Sequence, residues 1–527
     1  MKGTGFKNNY NRVIIVVISV VLLIVCCVIW FFRTFSGLGT IGIAFNYESG
    51  FYDEELSVEI KTTGFSVNGP FIIKYNMDGD DLDETGIEYS GGIKLTMPEA
   101  GYNLYSISAT ACDMEQNCIE PVVATYVVGN DLASDVTLGI ININCSQYNL
   151  YDYYTGIMTG GVTYDLYNES LTDEWYVSGN YNNRGKKWMR DAYIMVFDSD
   201  GSIVMNGGGQ IGIAGLTSSS YLVKSLSIDL SNEGDNKNGY STFRLRSGGQ
   251  DQFSGNIRSS VISRLMMEGG FDGGNITERV VVFLNGHYYG IFDRQMDYSR
   301  ADLAMHFGLG KEKNVIKEKG SEKTVFEEFG LGEEIWDNIE LLNNKERLEK
   351  IVDMDDFLKY YAIQILINNT DWPMNNYTAW RYKGRDDGLN KYKDGKLRFL
   401  LRDTDLTYYT DENTEWFEGS KGDIFEYLME GKYNGKGSVF PKVMESEYYR
   451  NRFIEILREL INGPFRTENV LKIIDEEAAK IDHQVELWST PEEYEEWKHW
   501  IEVLRGAAAS REQEVRDDVF KYFGVVL

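Results

Sequence analysis

The chain has 527 residues and carries 81 acidic against 52 basic side chains, which gives a formal net charge of −29. This length predicts two or more domains, because single hydrophobic cores rarely grow past about 250–300 residues. The acidic excess argues against nucleic acid as a partner, because binding to a phosphate backbone needs a basic surface.

The N-terminal end combines a basic flank with a long apolar run. Residues 1–12 are polar and basic, and no charged residue occurs from Val13 to Phe32. A helix of about 20 apolar residues crosses a membrane, and no small-residue cleavage site closes this run. We therefore predict a transmembrane signal anchor at 13–33, followed by a linker at 34–40; a cleaved secretory signal is the alternative interpretation. The basic flank predicts a cytoplasmic tail, a single pass through the cell membrane and an extracellular bulk.

Residues 41–129 contain short strand-like segments separated by turn signals. Examples are Leu56–Ile60 and Leu104–Ala109, and this spacing predicts a small β-sandwich. Cys112 and Cys118 flank a turn-like loop. A disulfide is permitted there outside the cytoplasm, although the spacing alone also allows two free thiols. We predict that the two cysteines are bridged.

Three local motifs in this region resemble the immunoglobulin-like module at the end of chitobiases. They are Gly50-Phe-Tyr52, the segment from Tyr75 to Gly79 and the turn from Asp113 to Asn117. The resemblance implies an immunoglobulin-like fold that acts as a spacer, and glycan contact by this module stays open beside that role.

From residue 135 to residue 527 the pattern changes to mixed strand and helix, which predicts an α+β domain. Trp188–Asp198 alternates as a strand, and Ile257–Met266 has helical apolar spacing. Val280–Phe292 contains an Asn-Gly turn and is predicted to be a β-hairpin. The last part of the chain, from Glu447 onward, is predicted to be helical.

Two polar motifs within this domain have the composition of a phosphoryl-transfer site. An apolar run ends at Asp371, and Asn376 follows five positions later; a second run, Phe399 to Leu401, ends in Asp403 and Asp405. Phosphoryl transfer uses one carboxylate to accept the hydroxyl proton and an Asn and a further Asp to hold metal. Each motif by itself is also common in turns, so the surrounding sequence must decide between these interpretations.

The surrounding motifs resemble those of the CotH kinase family, the atypical protein kinases named after a spore coat protein. The resemblance spans Asp135 to Leu527 and rests on motifs that occur in family order. They are Thr155-Gly-Ile157, Trp188–Asp198, Gly215–Ser220 with Lys224-Ser225, Leu245–Asp251 with Ile257-Arg258, and the Val280–Phe292 hairpin. The domain is thereby expected to be an atypical protein-kinase-like α+β domain with a helical C-terminal part.

The resemblance implies roles for the polar motifs. Asp371 is expected to be the catalytic carboxylate, Asn376 and Asp403 metal ligands, and Asp405 an alternate or second ligand. The expected cofactors are ATP and Mg²⁺ or Mn²⁺.

The resemblance also implies that Lys317, Lys224 and Arg246 contact the nucleotide. A surface lysine on a strand is the alternative interpretation for Lys317, and a plain hairpin loop is the alternative for the Gly/Ser-rich stretch before Lys224. One departure from the family pattern concerns a glutamate after the hairpin, where this chain has Met296 with Asp297 one position later.

The function predicted from these features is a membrane-anchored, externally facing kinase. It would transfer the ATP γ-phosphate to Ser or Thr of surface or secreted proteins, including itself. The alternative is a non-catalytic surface scaffold or adhesion protein that keeps the fold. A glycosidase that uses Asp371 and Asp403 as a carboxylate pair is a weaker third interpretation.

Overall fold

The structure is a computed structural model. It describes residues 41–64, 70–79, 82, 85–167, 177–230, 242–331, 344–408, 423–430 and 438–527. The chain divides into two compact units, Met1–Asn130 and Asp131–Leu527. None of the helices in the described ranges is long and apolar enough to span a membrane. The anchor predicted at 13–33 lies outside the described residues and stays a prediction.

The described part of the first unit consists of β-strands. Its strands are β1 (Gly42–Phe45), β2 (Gly50–Tyr52), β3 (Leu56–Val58), β4 (Ile60–Thr63), β5 (Ile72–Asn76), β6 (Ile87–Glu88), β7 (Ile93–Leu95), β8 (Tyr102–Cys112) and β9 (Val122–Gly129). One sheet has the order β2-β9-β8-β5-β6, and β1 pairs with β4 while β3 pairs with β7.

Alternation of apolar residues builds a single core in this unit. Leu56 and Val58 of β3 are buried on either side of an exposed Ser57. They pack in one cluster with residues of β8 and β9 such as Ile107 and Tyr126. Because side chains of a strand alternate between its two faces, this pattern buries one face of each strand and exposes the other.

A disulfide closes the loop that follows β8. Cys112 and Cys118 are bonded, with their Cα atoms 4.0 Å apart. Between them, an oxygen of the Asp113 side chain accepts hydrogen bonds from the backbone N–H groups of Glu115 and Asn117, each at 2.9 Å. The predicted bridge is confirmed, because this turn brings the two cysteines together.

A closed barrel of strands forms the first part of the second unit. Its strands are β10 (Gly139–Asn144), β11 (Arg190–Phe197), β12 (Ile203–Ile213), β13 (Leu226–Asp229), β14 (Thr242–Arg246), β15 (Thr277–Leu284) and β16 (His287–Gln295). Their order around the barrel is β10-β11-β12-β13-β14-β16-β15. The barrel closes through a parallel pairing of β10 with β15, in which Ile141 lies opposite Val282.

The glycine-rich stretch that the sequence places in a loop is partly a strand. Strand β12 continues through Gly207, Gly208 and Gly209 to Ile213. A Cβ atom at Gly209 would lie 2.6 Å from the Leu230 side chain and 3.0 Å from a backbone oxygen of Asp229. Glycine is needed at position 209 because neighbouring groups come this close. Residues 207–213 are therefore part of a strand, and the hairpin-loop interpretation of the Gly/Ser-rich stretch before Lys224 is wrong for this part.

Strands β15 and β16 form the predicted hairpin. The turn residues Asn285 and Gly286 both have positive φ, at 54° and 82°. This conformation matches the right-handed twist of the two strands and favours Asn-Gly, which explains the strong sequence signal.

Helices and a three-stranded sheet make up the rest of the second unit. The strands are β17 (Val315–Gly320), β18 (Tyr377–Tyr382) and β19 (Arg398–Phe399), in that order. The α-helices of the described residues are α1 (Leu132–Asp135), α2 (Gln147–Tyr151), α3 (Gly161–Tyr167), α4 (Arg258–Glu268), α5 (Arg300–His306), α6 (Glu322–Glu328), α7 (Lys345–Ile351), α8 (Met354–Leu366), α9 (Ile424–Glu430), α10 (Val439–Glu445), α11 (Glu447–Ile461), α12 (Thr467–Trp488) and α13 (Pro491–Phe523). This mixed content confirms the α+β prediction.

The C-terminal helix α13 holds the end of the buried helix α8. Arg511 of α13 donates hydrogen bonds from Nε and Nη2 to the carbonyl oxygen of Ile365, at 3.1 and 2.7 Å. This carbonyl lies in the last turn of α8 and also accepts a hydrogen bond from the backbone N–H of Asn368 at 3.1 Å. The loop after α8, which carries Asp371, therefore starts from a fixed point.

The disulfide supports a first prediction. Replacement of Cys112 and Cys118 by Ser should lower the free energy of unfolding of the first unit by about 2 kcal/mol, because a short loop loses its covalent closure. The measurement is chemical denaturation of the parent and the double variant. Cys145→Ser, in the second unit, is the control. Equal stability of the first unit with and without the bridge would contradict the prediction.

Candidate functional site

Two loops meet at one edge of the small sheet. Strand β18 starts directly after Asn376, and β19 ends shortly before Asp403. The two strands are antiparallel, with Ala379 opposite Phe399. The start of one strand therefore lies beside the end of the other, which brings the two sequence motifs together.

Asp371 is held by amide side chains of its own loop. Asn375 donates a hydrogen bond from Nδ2 to one carboxylate oxygen at 3.0 Å, and Asn376 donates to the other at 2.5 Å. Asn376 and Asp403 both have left-handed backbone conformations, with φ of 58° and 60°. Such conformations cost residues other than glycine on the order of 1 kcal/mol or more and concentrate at functional sites.

Arg246, at the end of β14, connects the barrel to both acidic residues of the second loop. Its Nη2 atom lies 2.5 Å from Oδ1 of Asp403 and 2.8 Å from Oδ1 of Asp405. The backbone N–H of Gln250 donates to Oδ2 of Asp405 at 2.9 Å. Both oxygens of Asp405 are thus engaged by the protein. Gly249 is required here, because a Cβ atom at this residue would lie 2.2 Å from Oδ2 of Asp405.

The two acidic residues differ in their ionisation. Burial opposes the charge of Asp403, but the nearby cations Arg246 and Lys319 outweigh it and hold the pKa of Asp403 below its usual range. Burial raises the pKa of Asp405 to about 7, against the effect of Arg246 and with a contribution from the charge of Asp403. Two adjacent carboxylates avoid a double charge in this way, and Asp403 is the ionised member.

Asp371 has the ionisation expected of a proton acceptor. Burial raises its pKa to about 6; the hydrogen bond from Asn375 lowers it, and the charge of Asp403 raises it further. At neutral pH the carboxylate is ionised, and its pKa lies close enough to neutrality for proton transfer.

A pocket that is open to solvent lies beside Asp403. Basic side chains dominate its charged lining, since Arg244, Arg246, Lys319 and Arg402 surround one acidic residue. Positive charge is therefore in excess in the pocket, which is the condition for binding an anion.

The pocket cations differ in their partners. Arg244 of β14 forms an ion pair with Asp297 at 2.5 Å. Asp297 is the acidic residue that lies one position after the place where the family pattern has a glutamate. Among the described residues, neither Lys319 nor Arg402 has a carboxylate within ion-pair distance. These two side chains are available to an anionic ligand.

Sequence reasoning missed Lys319 and singled out its neighbour. Lys317 and Lys319 are separated by two positions on β17, so both point to the same face of the strand. Lys319 lines the pocket, whereas Nζ of Lys317 donates to the carbonyl oxygen of Tyr298 at 2.6 Å. The two-residue period of a strand was the signal that could have identified Lys319.

The structure places the other predicted nucleotide-binding residues differently. Arg246 lines the pocket, and Lys224 is absent from its lining. Nζ of Lys224 donates to the carbonyl oxygen of Tyr221 at 2.5 Å and lies 4.4 Å from the centre of the Tyr181 ring. Burial lowers the pKa of Lys224 and that of Lys317 to about 8. A contact of either lysine with a nucleotide stays a prediction.

The donor set suits a hard divalent cation. Among the described residues, no group of three or more His, Cys, Asp or Glu side chains is disposed to hold a metal ion. Asp403 nevertheless supplies an ionised carboxylate, and Asn376 gives its amide nitrogen to Asp371 and keeps its amide oxygen for another partner. Carboxylate and amide oxygens are ligands that Mg²⁺ accepts, with water completing the shell. Asp405 already has a protein partner at each oxygen, Arg246 at one and the backbone N–H of Gln250 at the other.

Glu322 supports the Asp371 loop through its backbone and has a buried carboxylate. The backbone N–H of Glu322 donates to the carbonyl oxygen of Pro373 at 3.0 Å. Its side chain is buried and accepts hydrogen bonds from the Tyr361 hydroxyl, from Oγ of Ser438 and from the backbone N–H of Val439. Burial raises the pKa of Glu322 from 4.5 to about 7. Sequence reasoning gave no signal for this residue.

Comparison with known proteins identifies the family. Residues 211–515 match the family described as CotH kinase protein. The chain belongs to the CotH kinase family. The matched region contains Arg246, Lys319, Asp371, Asn376 and Asp403, so the resemblance seen in the sequence is confirmed at the level of the family.

Two further comparisons add little to this assignment. The crystal structure of the Helicobacter pylori proinflammatory kinase CtkA is similar over 55% of this chain and 94% of that chain, with 11% sequence identity and a TM-score of 0.26. No curated protein matches the chain.

Glu322 supports a prediction about stability and pH. Because its pKa is higher in the folded than in the unfolded chain, the folded state binds the proton more tightly between about pH 4.5 and 7. The contribution of this carboxyl to stability is therefore present below pH 4.5 and is lost as the pH rises to 7. Glu322→Gln keeps a neutral side chain of the same shape and should remove that loss.

The measurement is thermal unfolding of the parent and of Glu322→Gln from pH 5 to pH 8. The melting temperature of the variant relative to the parent should rise with pH. Glu327→Gln, at an exposed position of the same helix α6, is the control and should follow the parent at each pH. A difference between Glu322→Gln and the parent that stays constant with pH would contradict the prediction.

Proposed function

We propose that this CotH kinase transfers the γ-phosphate of ATP to Ser or Thr hydroxyls of proteins, including its own, with Mg²⁺ or Mn²⁺ as cofactor. The observation that carries the proposal is the position of Asp371 beside an ionised Asp403 at the edge of a basic pocket. A proton acceptor, a cation ligand and an anion site are the groups that phosphoryl transfer needs.

Asp371 has the part of the proton acceptor in this mechanism. The hydroxyl oxygen of the substrate forms a bond to the γ-phosphorus, while the bond from that phosphorus to the bridging oxygen of ADP breaks. The hydroxyl proton passes to the Asp371 carboxylate. The two amide side chains that bind this carboxylate, Asn375 and Asn376, keep it aimed at one position.

Asp403 and Asn376 would hold the divalent cation, whose positive charge offsets that on the phosphate oxygens. Lys319 and Arg402 supply positive charge to the same phosphates from the wall of the pocket. Arg246 is placed to keep Asp403 ionised before a cation binds, since its guanidinium contacts that carboxylate. In the proposed reaction, each of these residues stabilises the negative charge that develops on the phosphate oxygens as ADP leaves.

The location that we propose is the outer face of the cell membrane. The apolar run from Val13 to Phe32 and its basic flank support a single signal anchor with the bulk of the chain outside. The Cys112–Cys118 disulfide supports an oxidising compartment. The β-stranded first unit would then be an immunoglobulin-like spacer between the membrane and the kinase domain. Its substrates would be proteins at the cell surface or secreted proteins.

The alternative is a scaffold that keeps the fold without catalysis. The experiment that separates the two is incubation of the purified chain with labelled ATP and Mg²⁺ or Mn²⁺, followed by detection of phosphate on Ser or Thr of the chain or of an added protein. Transfer that depends on the metal supports the kinase. If the chain binds no nucleotide at any metal concentration, the scaffold is the correct interpretation.

Substitutions of the two loops give a third prediction. Asp371→Asn should lower the transfer rate roughly a hundredfold or more, because the proton acceptor is lost, while nucleotide binding persists. Asp403→Asn should also weaken metal-dependent nucleotide binding, because a neutral amide is a poorer ligand for a hard cation. Transfer assays and calorimetry with ATP and Mg²⁺ distinguish the variants, with exposed Asp355→Asn as the control. Parent-like transfer by both loop variants would refute this site.

Lys319 supports a fourth prediction. Lys319→Met should weaken ATP binding by roughly tenfold or more, because one charge-assisted contact to the phosphates is removed. Lys472→Met, at an exposed position of α12, is the control and should bind ATP like the parent. Calorimetric titration measures both. Unchanged affinity in Lys319→Met would show that the phosphates lie elsewhere.

A further inference from the structure

One end of the barrel presents an exposed surface next to the catalytic carboxylates. Leu226, at the start of β13, lies opposite Leu245, near the end of β14. The loop before β13 and the segment after β14 therefore emerge at the same end of the barrel. Arg246, which binds Asp403 and Asp405, is the last residue of β14 at this end.

A short series of contacts leads from the carboxylates to this surface. The backbone N–H of Gln250 binds Asp405, and the turn that begins with Gly249 ends at Phe253. The Phe253 ring packs edge-on against the Tyr221 ring, with 5.2 Å between the ring centres. The loop before β13 is therefore adjacent to the segment that holds Asp405.

Three large apolar side chains on these two segments face solvent. Leu216 is 73% exposed, Leu222 is 90% exposed and Phe253 is 61% exposed. A single exposed apolar residue is ordinary, since much of any protein surface is apolar. Three of them on adjoining segments beside a catalytic site indicate a surface that binds another molecule.

Basic residues adjoin the apolar ones. Arg184 donates hydrogen bonds to the carbonyl oxygens of Tyr181 and Gly215, each at 2.5 Å, which ties its turn to the loop before β13. Lys186 and Lys187 lie two and three positions after Arg184 and are exposed. Among the described residues, neither lysine has a carboxylate within ion-pair distance. This local positive charge contrasts with the net charge of −29 of the whole chain.

We infer that Leu216, Leu222, Phe253, Lys186 and Lys187 form a docking face for the protein substrate. Its occupant is an acidic peptide segment with a bulky apolar side chain, close in sequence to the Ser or Thr that accepts phosphate. The inference rests on the proposed function, because it names the substrate class of the same site. The charge complementarity and the apolar residues together select this occupant.

Other anionic ligands fit less well. Nucleic acid and a lipid surface would match the two lysines, but each extends well beyond them and would meet the acidic remainder of the chain. A short acidic peptide neutralises the lysines without such an extended contact, and its apolar side chain covers the leucines and Phe253.

The test measures binding of a fluorescent peptide to the full chain by anisotropy, without nucleotide. The reference peptide has one Ser, several Glu residues and one Leu. One comparison peptide replaces each Glu with Lys, and a second replaces the Leu with Ser. The reference peptide should bind about fivefold or more tightly than either, and its advantage over the Lys peptide should shrink at high salt.

Two pairs of variants locate the binding. The double variant Lys186→Glu, Lys187→Glu should bind the reference peptide about fivefold more weakly than the parent. Leu222→Ser should weaken the binding of this peptide by a similar factor. The controls are Lys472→Glu and Leu389→Ser, since Leu389 is 91% exposed and thus matched to Leu222. Both controls should bind like the parent. All of these substitutions lie at exposed positions, so circular dichroism should show an unchanged fold.

Each outcome separates this inference from the proposed function. Equal binding of the reference and Lys peptides, or equal losses in the variants and their controls, would overturn the docking face. Binding of anionic vesicles or of an oligonucleotide in place of the peptide would overturn the choice of occupant. Phosphorylation of the Lys peptide as rapid as that of the reference would leave the kinase and refute the docking face. Peptide binding by a chain that transfers no phosphate from labelled ATP to itself or to an added protein would leave the docking face and refute the kinase.

Discussion

The arrangement of the site depends on the contact of one guanidinium with two carboxylates. Arg246, on the last barrel strand before the Gly248-Gly249 turn, binds both Asp403 and Asp405. Burial and the charge of Asp403 raise the pKa of Asp405 to about 7, and Arg246 keeps the pKa of Asp403 below its usual range, so the pair avoids a double charge. The contact also joins the barrel to the loop after β19. The same ion pairs therefore set the ionisation of the two carboxylates and position their loop. Only glycine fits at position 249, because Asp405 occupies the space that a Cβ atom would need.

Two further arginines extend this principle to the surrounding loops. Arg258, buried at the start of α4, pairs with Asp251 and donates from Nε to the carbonyl oxygen of Thr407 at 2.9 Å. Arg511 binds the carbonyl oxygen of Ile365 and the carboxylate of Asp423. A buried guanidinium that satisfies several acceptors fixes their relative positions, and losing one partner would leave a buried charge uncompensated. Arg258, earlier in the chain, holds the loop that carries Asp403. Arg511, near the C-terminal end, holds the start of the loop that carries Asp371.

The pocket beside Asp403 is basic, although the whole chain is acidic. The chain is strongly acidic overall, yet the pocket beside Asp403 is lined by Arg244, Arg246, Lys319 and Arg402. An acidic surface keeps the protein soluble, whereas a basic pocket concentrates an anionic ligand where the chemistry takes place. The proposed nucleotide ligand suits this pocket, because a nucleotide carries its negative charge on the phosphates.

The sequence by itself determined the local elements and located the two polar motifs around Asp371 and Asp403. Apolar periodicity indicated the helices, the Asn285-Gly286 turn indicated the hairpin, and the order of motifs indicated the CotH kinase family. The tertiary structure decided which residues meet. It closed the barrel through β10 and β15, where the side chain of Asn285 binds the backbone of Cys145 across 140 residues of sequence. It also placed Lys319 in the pocket and left Lys317 and Lys224 bound to backbone carbonyls. Periodicity describes only neighbours along the chain, and contacts between distant residues are set by the packing of the whole unit.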